Sequence, residues 1–207
     1  ALQGQVLVTQ DLSTGPDTTP PAGWTTAATT TTGALINWTF SGVRGVTGGT
    51  PGFVANYALL DSDAGSATGE GATLESPAFD ASTAANYRLE FDNQFRNVSG
   101  GGVPTVEVWN GSAWTAVLTY STAVADGYPN PANHKTIDIT SAVGTSSAAK
   151  VRFHWVNGSD DWWWAVDNVT ITRINCTAPA ATYTVVPNCG SNQFSVEVNI
   201  TNMGSAS

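Results

Sequence analysis

Apolar and polar residues alternate at every second position in several short stretches of this chain. In Tyr87-Arg88-Leu89-Glu90-Phe91-Asp92-Asn93-Gln94-Phe95, the set Tyr87, Leu89, Phe91 and Phe95 can share one face while Arg88, Glu90 and Asp92 take the other. Lys150 to Val156 repeats the pattern, with His154 on the opposite face from Phe153 and Trp155. Residues 162–174 read as the closing strand of this unit, set opposite the preceding one through the Asn157-Gly158 turn region. Asn110-Gly111 is the strongest tight-turn signal, between strands at 105–109 and 114–120. Shorter strands are predicted at 6–9, 37–40, 56–61, 72–76 and 136–139. Pro16, Pro20 and Pro21 break both helix and sheet ahead of Trp24. Many short strands separated by Gly and Pro turns predict an all-β fold, a two-sheet antiparallel sandwich with long loops.

The 207 residues exceed what this unit needs. Tyr183 to Val186 and Phe194 to Ile200 read as the first strands of a second β domain, which gives a division into 1–174 and 175–207. A tail of about thirty residues is too short to build a robust core alone. No basic-then-apolar leader precedes Ala1, and the chain closes inside a predicted strand and turn. A piece of a larger exported polypeptide with further domains is therefore expected.

Composition narrows the partners. Seven basic residues stand against sixteen acidic ones, a formal charge of −9, and the basic residues form no cluster. Nucleic acid and anionic membranes need a positive footprint and are excluded on that ground. No apolar run is long enough for a membrane-spanning segment. A cation such as calcium, a surface glycan or an extracellular protein is electrostatically easier. An acidic, lysine-poor, Thr-rich chain suits export, where Cys176 and Cys189 can form a disulfide; two buried thiols are the alternative.

The order of features along the chain carries a resemblance. It comprises Pro20-Pro21-Ala22-Gly23-Trp24, Asn56-Tyr57 to Asp61, Leu74-Glu75-Ser76-Pro77-Ala78-Phe79-Asp80, Trp109-Asn110-Gly111 with Trp114, Phe153, and Trp164-Ala165-Val166-Asp167-Asn168-Val169. This order resembles the jelly-roll modules of exported Bacteroidetes-type proteins, called choice-of-anchor, cleaved-adhesin or MAM-like domains. The tail resembles the start of an immunoglobulin-like or fibronectin-like repeat. The resemblance implies a secreted or bacterial cell-surface location. It also implies an accessory module on a protease, glycosidase or adhesin. Fold kinship names no mechanism.

In such jelly rolls a structural calcium joins the first strand region, an acidic loop and the closing strand. By position, the resemblance implies Asp11, Asp61, Asp63 and Asp167 as side-chain ligands. Asp61 and Asp63 can point into one concavity if Ser62 turns outward; the alternative is a solvated turn that satisfies its own amides.

Eight tryptophans are many for a chain of this size. In Trp162-Trp163-Trp164, a strand sends the outer two to one face and Trp163 to the other. Trp164 and Val166 are assigned to the core. Trp163 then stands on the outer face as a candidate ligand platform, with Trp162 next to it and Asp160 and Asp161 as polar partners. Carbohydrate binding, a protein-facing adhesion surface and a structural spacer all remain open for it. Catalysis is disfavoured. The chain has no nucleophile elbow, no His-Glu-x-x-His and no phosphate loop, and Glu90, Asp92 and Glu107 lie on wet strand faces. The chain is therefore expected to be a non-catalytic adhesion or targeting module, with a carbohydrate-binding module of a secreted hydrolase as the alternative.

Overall fold

Burial follows the period-two pattern over residues 87–92 and 150–155, whereas the equally alternating residues 194–200 are exposed throughout. The structure is a computed structural model that describes residues 4–13, 17–42, 52–53, 56–64, 67–96, 101–120, 125–129, 131–159, 161–175, 180–188, 190 and 193–202. Twelve strands are described: β1 (Gly4–Gln10), β2 (Thr25–Thr29), β3 (Ala58–Asp61), β4 (Thr68–Glu75), β5 (Asn86–Arg96) and β6 (Val103–Trp109), then β7 (Trp114–Thr119), β8 (Asn133–Asp138), β9 (Lys150–Ser159), β10 (Trp163–Ile174), β11 (Ala180–Asn188) and β12 (Gln193–Asn202). One short helix, α1 (Thr140–Val143), and a 3₁₀ turn at Ser62–Ala64 complete the list.

Two antiparallel sheets of five strands form the sandwich. The first runs β1-β10-β5-β8, with β3 sharing the β1 edge of β10; the second runs β2-β4-β9-β6-β7. Their inner faces meet through aromatic pairs. Phe91 of β5 meets Phe153 of β9 edge-on at 5.1 Å between centroids, and Trp164 of β10 meets Phe153 at 5.8 Å. Such edge-to-face contacts each add about 0.5–1.5 kcal/mol beyond area burial.

The Asn157-Gly158 region proves not to be a turn between neighbours. Both residues lie inside β9, where the β4–β9 register shifts, and β10 belongs to the other sheet. Asn37 to Phe40 forms no strand and contributes only an isolated bridge, Thr39 to Leu59. The Asn110-Gly111 hairpin is present as predicted. Asn110 Oδ1 accepts the Ser112 and Ala113 amides at 2.9 Å, and Gly111 takes φ +95°.

The closing strand β10 carries one feature that positions everything else. Its pairing with β5 slips between Asp167 and Thr170, and Asn168 adopts φ +51°. Strict alternation from Trp164 and Val166 would send residues 168 and 170 inward. The extra residue of this bulge instead delivers Val169 and Ile171 to the core and leaves Asn168 exposed.

β11 and β12 form a separate two-stranded sheet. Its register pairs Tyr183 with Val198, Val185 with Val196 and Pro187 with Phe194, so one face is apolar. The other pairs Thr184 with Glu197 and Thr182 with Asn199.

Candidate functional site

Three strands line up an acidic recess at the β10 bulge. Register places Asp167 of β10 opposite Asp92 of β5, and Asp92 opposite His134 of β8. Asp11, just past the end of β1, completes a recess of about 430 Å³ that Ser13 and Phe53 also line. His134 Nδ1 lies 2.8 Å from Asp92 Oδ1, and Asn168 Nδ2 donates to Asp92 Oδ2 at 2.8 Å. The hydrogen bond with Asp92 holds the His134 pKa above its ordinary value; partial burial opposes this, and the charges of Asp92 and Glu90 add to it. Asp11 Oδ1 accepts the Ser13 amide at 3.3 Å.

Asp167 is the unusual member. Its residue is 7% exposed, and its Oδ1 is buried without a hydrogen-bond donor. Burial pushes its pKa up to about 7; an amide hydrogen bond from Asn168 opposes this, and the charges of Asp11 and Asp92 reinforce it. An orphaned carboxylate oxygen among like charges fits a hard cation such as calcium, which takes carboxylate, backbone and water oxygens. The side chains alone do not build a cage. Among the described residues no three His, Cys, Asp or Glu side chains are arranged to hold a metal ion.

The four carboxylates expected to share a metal do not meet. Asp11 and Asp167 come together, joined by Asp92. Asp61 lies opposite Trp163 on the β3–β10 pair. That is four residues along β10 from Asp167, roughly 13 Å at strand rise. Asp63 sits in the 3₁₀ turn, its amide bonded to the Trp162 carbonyl at 3.3 Å. Ser62 does not turn outward. It is fully buried, and its hydroxyl donates to Glu70 Oε2 at 2.5 Å and accepts the Asp161 amide at 3.0 Å.

The triple tryptophan also departs from expectation. Trp164 and Val166 do enter the main core, and Trp164 Nε1 donates to Asn93 Oδ1 at 2.7 Å. Trp163 faces the other way as alternation requires, yet it is 0% exposed. Tyr57, Leu59 and Ala165 cluster with it, and Phe53, Tyr128 and Trp162 cover the group. A second apolar layer thus closes the outer face of this sheet, and Trp163 offers no surface to a ligand. β10 begins at Trp163, so strand alternation does not govern Trp162. Trp162 packs at 6.0 Å against Trp163 and carries the Arg96 guanidinium 3.6 Å from its ring centroid. Asp161 is fully buried and accepts the Gly102 amide at 2.7 Å, which makes it a loop anchor rather than a polar contact for a ligand. Asp160, Cys176 and Cys189 lie outside the described residues.

Two further half-buried tryptophans, Trp109 and Trp114, lie on the second sheet. Alternation in β6 sends Val106 and Val108 inward, hence Glu107 and Trp109 outward. The register across β7, β6 and β9 then sets Trp114, Trp109 and Lys150 in one row. Glu107, Arg152 and Glu75 form the next row across β6, β9 and β4. The two half-buried indoles lie 5.6 Å apart and tilted by 49°. Arg152 sits 4.1 Å from the Trp114 centroid and donates from Nε to Glu107 at 2.6 Å. His154 Nδ1 is 2.9 Å from the same Glu107 oxygen. The outward position of Trp109 was readable from the Val106/Val108 alternation, and the Asn-Gly turn returns Trp114 beside it.

No protein-family model and no curated protein sequence matches the chain. Solved structures do. The K1 cleaved adhesin domain of Lys-gingipain from Porphyromonas gingivalis W83 superposes with a TM-score of 0.55 at 17% identity, over 81% of this chain and 98% of that one. The K3 cleaved adhesin domain of the same protein gives 0.55 at 17% identity, over 81% and 99%. The K2 domain of Lys-gingipain gives 0.52 at 18% identity, over 80% and 97%. At these identities the likeness is one of fold: the chain is an antiparallel jelly-roll β-sandwich of the architecture seen in these three adhesin domains.

Proposed function

We propose that residues 1–174 are a non-catalytic adhesion or targeting module of a secreted or cell-surface protein. The shared sandwich with three cleaved adhesin domains, over about four-fifths of the chain, is the observation that supports this reading most directly. In this reading calcium binds at Asp11 and Asp167 and ties β1 to the bulge of β10, while β11 and β12 begin a following β domain. A carbohydrate-binding module attached to a secreted hydrolase is the second reading, favoured by the outward Trp109 and Trp114.

Saturable retention of the purified protein on surfaces coated with extracellular-matrix proteins or with polysaccharides tests the proposal. Retention on either class in calcium-containing buffer, lost after unfolding, is expected. Retention on neither class, or turnover of a peptide or glycoside by the protein alone, overturns it.

A further inference from the structure

We propose that the recess between Trp109, Trp114, Glu75 and Lys150 is a binding site for a single pyranose ring of a neutral glycan. This inference rests on the binding-module reading above and names a ligand class and a site for it. The recess measures about 260 Å³ and is bounded by these four side chains. That is below the roughly 300 Å³ at which pockets for drug-sized ligands begin, and it suits one sugar ring.

The chemistry of the walls points the same way. A pyranose has an apolar C–H face and a polar rim of hydroxyls. Two half-buried indoles, 5.6 Å apart, present the apolar wall for the first. Arg152, held by Glu107 and lying 4.1 Å from the Trp114 ring centroid, fixes that indole before any ligand arrives. Such preorganisation lowers the ordering cost of binding. Glu75 and Lys150 supply the polar wall. Their charged atoms are 3.6 Å apart, too far for a good hydrogen bond, so both keep capacity to accept from and donate to neighbouring hydroxyls. Among the described residues, the acids pointing outward from this sheet stand beside bases: Glu75 beside Lys150, Glu107 beside Arg152 and His154. The site therefore lacks the uncompensated charge that an anionic or cationic ligand would require, and a neutral polyol is the matching class.

The site is separate from the acidic recess, which lies on the first sheet, and from Trp163, whose apolar neighbours bury it. β9 carries Lys150, Arg152 and His154 outward in sequence. A shallow hollow beside His154, lined by residues of β2 and β4, lies two positions beyond Arg152 on this face and leaves room for a chain to extend.

An array of neutral cello-, xylo-, manno- and galacto-oligosaccharides probes the full chain, followed by titration of hits with ¹⁵N-indole NMR. The Trp109 and Trp114 resonances are assigned from Trp109→Phe and Trp114→Phe. Wild type is expected to bind at least one neutral oligosaccharide, with shifts at these two indoles. Trp109→Ala or Trp114→Ala is expected to weaken binding at least tenfold, and Lys150→Ala severalfold, with unchanged circular dichroism. If the Ala variants fail to fold, the indole shifts in wild type and the Lys150→Ala affinity decide the question. Glycan binding with no shift at either indole overturns the inference. No binding anywhere on the array, with retention on matrix protein intact, also overturns it and leaves the adhesion reading standing; the two indoles are then only a cross-strand pair that stabilises the hairpin.

Discussion

Trp164 and Asn93 are joined across the β10–β5 pair by an indole N–H that donates to the Asn93 side-chain oxygen at 2.7 Å, both residues buried. Asn93 Nδ2 in turn donates to Asp126 at 3.0 Å, and Asn133 and Lys135 hold the same carboxylate. Burial alone would raise the Asp126 pKa, but hydrogen bonds from Lys135, Asn133 and Tyr120 and the Lys135 charge outweigh it and hold the group below its ordinary value. A chain of polar contacts thus runs from the core tryptophan to the surface of β8. Replacing Asn93 by Ala leaves the indole N–H buried without its acceptor. A loss of about 1–3 kcal/mol is expected, read as a lower urea midpoint at unchanged slope.

The bulge at Asn168 makes a second prediction. Its φ of +51° is open to Gly and to Asn but not to a β-branched residue. Asn168→Val is expected to destabilise the fold by about 1–2 kcal/mol or more, while Asn168→Gly stays close to wild type, losing only the hydrogen bond to Asp92. Thermal unfolding of the two variants separates backbone strain from the side-chain contact.

Asp167 ties stability to pH. Its folded-state pKa of about 7 exceeds the ordinary 3.8, so between those values the folded chain holds a proton that the unfolded chain has released. In chelator, stability is therefore expected to fall as pH rises from about 4 to about 7. His134 is also raised, and its contribution is lost as pH climbs through its own folded value, in the same direction. Asp167→Asn removes the first component only. Urea midpoints against pH for wild type and this variant are expected to converge at low pH and to separate near neutrality, with the variant the more stable.

Calcium should reverse that penalty if it binds at the recess. Wild type is expected to melt at higher temperature with calcium than with chelator, and linkage gives about 2.7 kcal/mol at a free concentration one hundred times Kd. Asp11→Asn and Asp167→Asn are expected to abolish the shift, whereas Asp61→Asn and Asp63→Asn retain it because those residues lie at the other end of β10. An identical melting curve in calcium and chelator removes the metal from this account.

Trp163→Ala is expected to cost about 3–5 kcal/mol, because the ring is fully buried under Tyr57, Phe53 and Tyr128. Calorimetry of the variant measures this. A cost below about 1 kcal/mol would show that the outer apolar layer is not formed in solution.

Much of the architecture was legible in the chain itself. The parity of β5, β6 and β9, the Asn-Gly hairpin and the inward Trp164 all follow from a period of two, which local backbone geometry imposes on any strand. The same rule put Trp163 on the outer side of its sheet and Trp109 on the outer side of the other. It could not say which outer side stays open to water. That depended on residues such as Tyr57 and Tyr128, far from Trp163 in sequence, folding over one face, while Trp109 and Trp114 on the other stay half-buried. The acidic recess was half legible: the resemblance implied Asp11 and Asp167 together with Asp61 and Asp63, and only the first two line it. Their partner Asp92 looked like an ordinary solvated residue. Alternation determined which way side chains point within the regular stretches of strand. Only the register of strands some 75 residues apart, and the bulge that shifts it, decided which of those side chains meet, because pairing between distant strands is set by the packing of the whole core.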